Sequence, residues 1–137
     1  MSEEAPRAAE HVRLLEHIVE LWNSGADALE LLDPEIEVRT PFSSVTGAPY
    51  RGIAGYREWR ADIAEQFEHW EMHVEEIREL GEARVLAVGF GRVRGRGSGI
   101  EFDQPAAGVV EFRDGRVTRL GIYLTEAEAL EAAAAQP

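Results

Sequence analysis

Cysteine is missing from the 137-residue chain, and so is lysine: all 14 basic residues are arginine. Without a thiol there is no thiolate nucleophile, no CxxC redox pair and no cysteine-ligated zinc, and disulfides give no clue to the compartment. Without a side-chain primary amine there is no Schiff-base chemistry, no lysine-anchored pyridoxal and no phosphate-loop lysine. Positive charge is scarce as well. The 26 acidic residues outweigh the arginines to give a net charge of −12, which repels the phosphates of nucleic acids and anionic membranes. No apolar run is long enough to span a bilayer, and the opening MSEEAPRAAEHV is acidic and lacks an apolar core. A soluble, cytoplasmic protein is expected, with no nucleic-acid and no membrane partner.

What is present suffices for one hydrophobic core. At 45% hydrophobic content the chain reads as a single domain over residues 1–137, frayed at 1–6 and 133–137. Val12, Leu15, Ile18, Val19 and Trp22 recur at helical spacing over about Arg7 to Ser24, and Asn23-Ser24-Gly25 ends that helix. A short second helix is expected near Asp27 to Leu32, capped by Asp27 and stopped by Asp33-Pro34. Glu35 to Thr40 alternates as a strand, and a loop rich in Pro, Gly, Ser and Thr follows, carrying Phe42 and Tyr50. A third helix is expected from Ile53 to His69 with Tyr56, Trp59, Ile63 and Phe67 along one stripe.

Four strands come next. Trp70 to Leu80 carries a candidate bulge at Glu75-Glu76, and Val85 to Arg96 leads to a Gly97-Ser98-Gly99 turn. Ile100 to Arg113 is interrupted by Pro105, and Asp114-Gly115 is a strong hairpin signal before Arg116 to Leu124. Thr125 and Glu128 form a capping box that opens a C-terminal helix. The order predicts an α+β fold: a cone-shaped, curved, mostly antiparallel sheet with three main helices packed on its concave face.

The helix ending in WNSG, the LLDPEIEVRTP strand, the YRG loop leading into a tryptophan-bearing helix and the terminal VVEFRDGRVTRLGIYL hairpin together resemble the SnoaL-like branch of the nuclear transport factor 2 superfamily. The resemblance covers roughly residues 8 to 132. It implies a conical barrel, a pocket between the concave sheet face and the helices, and a homodimer through the convex face, for which Val109, Val117 and Tyr123 supply apolar character. Cyclases, isomerases, hydratases, hydrolases and non-catalytic binders share this cone.

The catalytic sets of the family are only partly matched here. At the positions of the isomerase-like base, enolate-binding acid and tyrosine stand Thr40, Gly108 and Ile18. Arg92 matches the arginine of epoxide-hydrolase-like members, but their two aspartates are replaced by Arg94 and Ile122. For the acid/base aspartate of polyketide-cyclase-like members the nearest residue is Asp103.

Alternation predicts an apolar pocket lined by Ile36, Val38, Thr40, Leu86, Val88, Phe90, Arg92, Gln104, Ala106, Gly108, Val110, Phe112, Thr118, Leu120 and Ile122, with Tyr50 and Trp59 able to stack on a flat ligand. On this phase no carboxylate faces the ligand. A bulge at Pro105 would exchange Asp103 and Gln104 and bring Asp103 beside Arg92 as an acid/base candidate. Two small-molecule readings therefore stand, beside that of a purely structural dimer. One is a binder of a small hydrophobic molecule, weakly anionic or carbonyl-bearing, held by Arg92. The other is a cyclase-, isomerase- or hydratase-like enzyme using Asp103 with Arg92 stabilising an oxyanion. No cofactor is implied. His11 and His17 are expected in solvent, and His69 and His73, read across a helix-to-strand junction, give no metal pair.

Overall fold

The computed structural model describes residues 4–40 and 48–135, with side chains from residue 9 onward. Phe42 and most of its loop lie outside the described residues. The elements are α1 (Glu4–Asn23), a single 3-10 turn (Leu29–Leu31), β1 (Leu32–Arg39), β2 (Tyr50–Arg51), α2 (Gly52–Gln66), β3 (Phe67–Glu79), β4 (Arg84–Gly95), β5 (Glu101–Arg113), β6 (Arg116–Tyr123) and α3 (Glu126–Ala135). The strands form one six-stranded curved, unclosed sheet in the order β2-β1-β6-β5-β4-β3. Only β1 and β6 pair in parallel. This is the expected α+β cone.

The core fills the concave side. Leu15, Ile18 and Trp22 of α1 and Tyr56 and Trp59 of α2 pack on Ile36, Val38, Val85, Val110, Phe112, Val117 and Leu120. On the opposite face Ala129 of α3 covers Leu86 and Ala107, with Val88, Val109 and Tyr123 packed around them. The capping box opens α3 as expected: the Glu128 backbone N–H donates to Thr125 Oγ1 at 3.1 Å. Its fixed entry sets the helix down on the convex face.

Several expected elements shift, each for a physical reason. Asp27 does not cap a second helix. Ala28, with φ +59, turns the chain there, while Asp27 pairs with Arg60 at 3.4 Å and its carbonyl accepts the Tyr56 hydroxyl at 2.7 Å. The third helix stops at Gln66, three residues early. Phe67 enters β3, and Arg96 donates to the Ala64 and Phe67 carbonyls that the helix end leaves open. His11 is buried at 9% exposure and stacks flat on Phe112, with ring centroids 4.5 Å apart.

Bulges decide which residues face inward. The β3–β4 register shifts between Val74 and Glu76, which is the bulge expected at Glu75-Glu76. Pro105 makes no bulge against β4: the ladder runs unbroken through Phe90↔Pro105, Gly91↔Gln104 and Arg92↔Asp103. The β5–β6 pairing ends at Ala107, so Pro105 lies where β5 is an edge and a missing N–H costs no ladder bond. A shift between Glu111 and Phe112 leaves Thr118 as an extra residue on β6. Val117, 2% exposed, therefore joins Leu120 in the core instead of serving the convex face. At the Asp114-Gly115 hairpin both residues have positive φ, +54 and +76, as a type I′ turn requires.

Close approach at the Glu75 bulge fixes one glycine. A Cβ on Gly89 would lie 1.9 Å from the His73 carbonyl oxygen, whereas one on Gly91 would meet nothing nearer than 3.6 Å. Gly89→Ala is expected to lower unfolding free energy by about 1–3 kcal/mol or more and Gly91→Ala to change it little, as read by urea denaturation. Equal stability of the two variants would refute the close approach.

Candidate functional site

The site is built from α2 outward. Trp59, Asp62, Ile63 and Gln66 fall at i, i+3, i+4 and i+7, so one helical face carries all four. They face Thr40 at the end of β1, Tyr50 of β2, Phe67, Trp70 and Met72 of β3, Gly91 and Val93 of β4, Gln104 and Ala106 of β5 and Ile122 of β6. These residues enclose a cavity of about 340 Å³ with a largely apolar wall. A more open cleft of about 610 Å³ between α1 and β3 is lined by Arg13, Glu16, His17, Glu20, Glu75 and Glu76 beside apolar residues of both elements.

β4 shapes the cavity through its small residues. Val85, Ala87, Gly89, Gly91 and Val93 share the concave face, because their β3 partners include Trp70, Met72, Val74 and Ile77. Leu86, Val88, Phe90, Arg92 and Arg94 share the convex face, opposite the β3 residues Arg78, Glu76, His73, Glu71 and His69. The bulkier stripe of this strand therefore points away from the cavity.

Of the residues read from the sequence, the structure brings Thr40, Tyr50, Trp59, Gln104 and Ile122 together around the cavity. Val110 is 2% exposed in the core of the same sheet face, and Gly108 sits opposite Ala87 and Ile122 without lining the cavity. Val88 and Phe90 lie on the convex face, and so do Arg92 and Asp103. The register allows no other outcome: Gln104 shares its face with Gly91 and Asp103 with Arg92, so Gln104 and Arg92 cannot both point inward.

The Arg92–Asp103 pair, at 3.1 Å, is half exposed, and the guanidinium lies 5.5 Å from the Phe90 ring. Arg94 pairs with Glu101 at 2.6 Å. His69 and His73 do share a face of β3, with Glu71 between them. Among the described residues, however, no group of three His, Cys, Asp or Glu side chains is arranged to hold a metal ion.

Sequence reasoning missed Asp62. The available signal was a carboxylate inside the apolar stripe of a helix, one turn beyond Trp59. Its Oδ2 accepts the Tyr50 hydroxyl at 2.7 Å. Burial first, and then that bond to an acid, push the Tyr50 hydroxyl up to about 12, so it stays a hydrogen-bond donor throughout the physiological range. No arginine or histidine lines the cavity among the described residues. Arg60, two residues before Asp62, reaches Asp27 and the Ala26 carbonyl, with its guanidinium 5.4 Å from the Trp70 ring.

The family model for SnoaL-like domains matches residues 15–120. Among solved structures, the chain is similar to a nuclear transport factor 2-like protein of unknown function from Burkholderia pseudomallei. The identity is 17% and the TM-score 0.75, covering 89% of this chain and 95% of that one. It is also similar to a candidate SnoaL-like polyketide cyclase from Jannaschia sp., at 17% identity and TM-score 0.76 over 100% and 99% of the two chains. A candidate polyketide cyclase from Silicibacter sp. aligns at 15% identity and TM-score 0.70 over 87% and 91%. No curated protein gives a significant sequence match.

Alkaline titration checks the Tyr50–Asp62 contact. With no lysine in the chain, tyrosines are the only side chains expected to titrate just above pH 10. Tyr56 and Tyr123 are also raised, chiefly by burial. Because the raised value favours the protonated folded state, the stabilisation from Tyr50 is full below pH 10 and is lost as pH rises towards about 12. Ultraviolet difference spectra should show tyrosinate forming in the folded protein only above pH 10, and Tyr50→Phe should remove one late transition and reduce the alkaline loss of stability. A tyrosine ionising at its ordinary value in the folded state, and missing from Tyr50→Phe, would contradict the contact.

Proposed function

Because the chain belongs to the family of SnoaL-like domains, we propose that it binds a small hydrophobic molecule in the cavity between α2 and the concave face of the sheet. The observation that carries this reading is the cavity itself: about 340 Å³, apolar over most of its wall, with Thr40, Tyr50, Asp62, Gln66 and Gln104 as its polar points. Its volume is at the lower end for small-molecule sites, which favours a compact ligand. An anionic or carbonyl-bearing ligand held by Arg92 loses its geometric basis, since Arg92 is paired with Asp103 on the outer face. The same pairing weighs against an enzyme using Asp103 as acid/base and Arg92 as oxyanion donor.

The proposal includes a cytoplasmic setting and a homodimer through the convex face. Val109 and Tyr123 are covered by α3, so a second copy would meet the part left open around Phe90 and Arg92.

Trp59 and Trp70 line the cavity, so their fluorescence reports on it. A neutral, rigid probe such as 1-adamantanemethanol is expected to shift the emission saturably. Gly91→Leu, which fills the floor, should abolish the shift, and Arg92→Ala should leave it unchanged. Equal affinity of the wild type and Gly91→Leu would remove the cavity from consideration. Sedimentation of the 15.2 kDa chain checks the dimer, and a monomer at micromolar concentration would end that part of the proposal.

A further inference from the structure

Asp62 is the one acidic or basic side chain among the described residues of the cavity wall. Asp62 is part-buried, so the apolar wall takes away some of its hydration and a cation that answers its charge is favoured there. The Tyr50 hydroxyl satisfies Oδ2, and no other hydrogen bond or ion pair is made to Asp62 among the described residues. The neighbouring cations are engaged elsewhere: Arg60 with Asp27, and Arg96 with the Ala64 and Phe67 carbonyls. The segment 41–47, PFSSVTG, has no charged side chain to contribute.

The rest of the wall suits a cation too. Tyr50, Trp59, Phe67 and Trp70 contribute aromatic rings, whose faces carry negative electrostatic potential. The net charge of −12 raises the local concentration of cations and lowers that of anions.

Resting on the proposed ligand cavity, we infer that this site selects a hydrophobic molecule bearing a protonated amine, whose N–H donates to Asp62 while its apolar body packs among Trp59, Trp70 and Ile122. An anion entering the same space meets Asp62 with no compensating cation. A neutral alcohol makes the hydrogen bond without the charge.

Three probes of one shape test this at neutral pH: 1-adamantylmethylammonium, 1-adamantanemethanol and 1-adamantanecarboxylate, titrated by calorimetry and tryptophan fluorescence. The ammonium is expected to bind about tenfold more tightly than the alcohol, because it adds an ion pair to the hydrogen bond that either donor makes to the same carboxylate, and the carboxylate probe is expected to bind most weakly. Asp62→Asn should bring ammonium and alcohol within about twofold of each other. Tyr50→Phe breaks the same hydrogen bond but keeps the charge, so it should retain the preference, which separates charge recognition from a general loosening of the wall.

A carboxylate that binds as tightly as the ammonium would overturn the inference, as would a preference that survives Asp62→Asn or disappears in Tyr50→Phe. Equal binding of all three probes, still blocked by Gly91→Leu, would leave the cavity reading standing and remove only the amine. Failure of the wild type to bind any of them would remove both.

Discussion

The three tryptophans of the chain meet in one contact, and the concave half of the fold is arranged around it. Trp22 of α1 packs edge-on to Trp59 of α2 at 5.5 Å between centroids, and Trp70 of β3 lies 6.0 Å from Trp22 and 6.5 Å from Trp59. Tyr56, fully buried, accepts the Trp22 indole N–H at 2.6 Å and donates to the Asp27 carbonyl. Burial of so large a polar side chain is tolerable only with its hydroxyl satisfied, so these two bonds also hold the left-handed turn at Ala28. Two helices, one strand and one turn are thereby positioned by rings, of which Trp59 and Trp70 also line the cavity.

Rings of that size need room, and β4 supplies it by placing its smallest residues beneath them. Ala87, Gly89 and Gly91 occupy the concave face, while Leu86 and Val88 turn to the other face, where α3 covers them. Two apolar layers thus share one sheet. The thin side of β4 leaves space for a guest, and its thick side anchors the C-terminal helix.

This division explains what was and was not legible in the sequence. Alternation, turn chemistry and the capping box are local signals, and they gave the order of the main elements, the Asp114-Gly115 hairpin, the bulge near Glu75 and the opening of α3, but not the two-residue strand β2, which lies in an expected loop, nor the reduction of the second helix to a 3-10 turn. The phase of β4 is not local. In VLAVGFGRVRGR both stripes are apolar before the arginines begin, and the bulkier stripe is the natural choice for a pocket wall unless the outer face is known to have a helix of its own. Thr118 shows the same limit, because an extra residue in β6 becomes visible only against its partner strand. Asp62 was readable in principle. It sits at helical spacing from Trp59, but the family resemblance points to strands for an acid.

The distortions of β3 bear on how copies of the chain treat one another. As the last strand in the order, with 13 residues, it leaves a long row of backbone groups without a neighbouring strand. Register breaks at Glu68 and Glu75 interrupt that row. Between them the Asn23 side chain fills a gap, taking the Met72 N–H on Oδ1 and giving Nδ2–H to the Met72 carbonyl, each at 2.9 Å. A strand from another molecule would find neither a continuous ladder nor a neutral one, since Glu68, Glu71, Glu75, Glu76 and Glu79 repel a copy of the same edge. The residues that bend the sheet around its cavity therefore also guard the chain against edge-to-edge polymerisation.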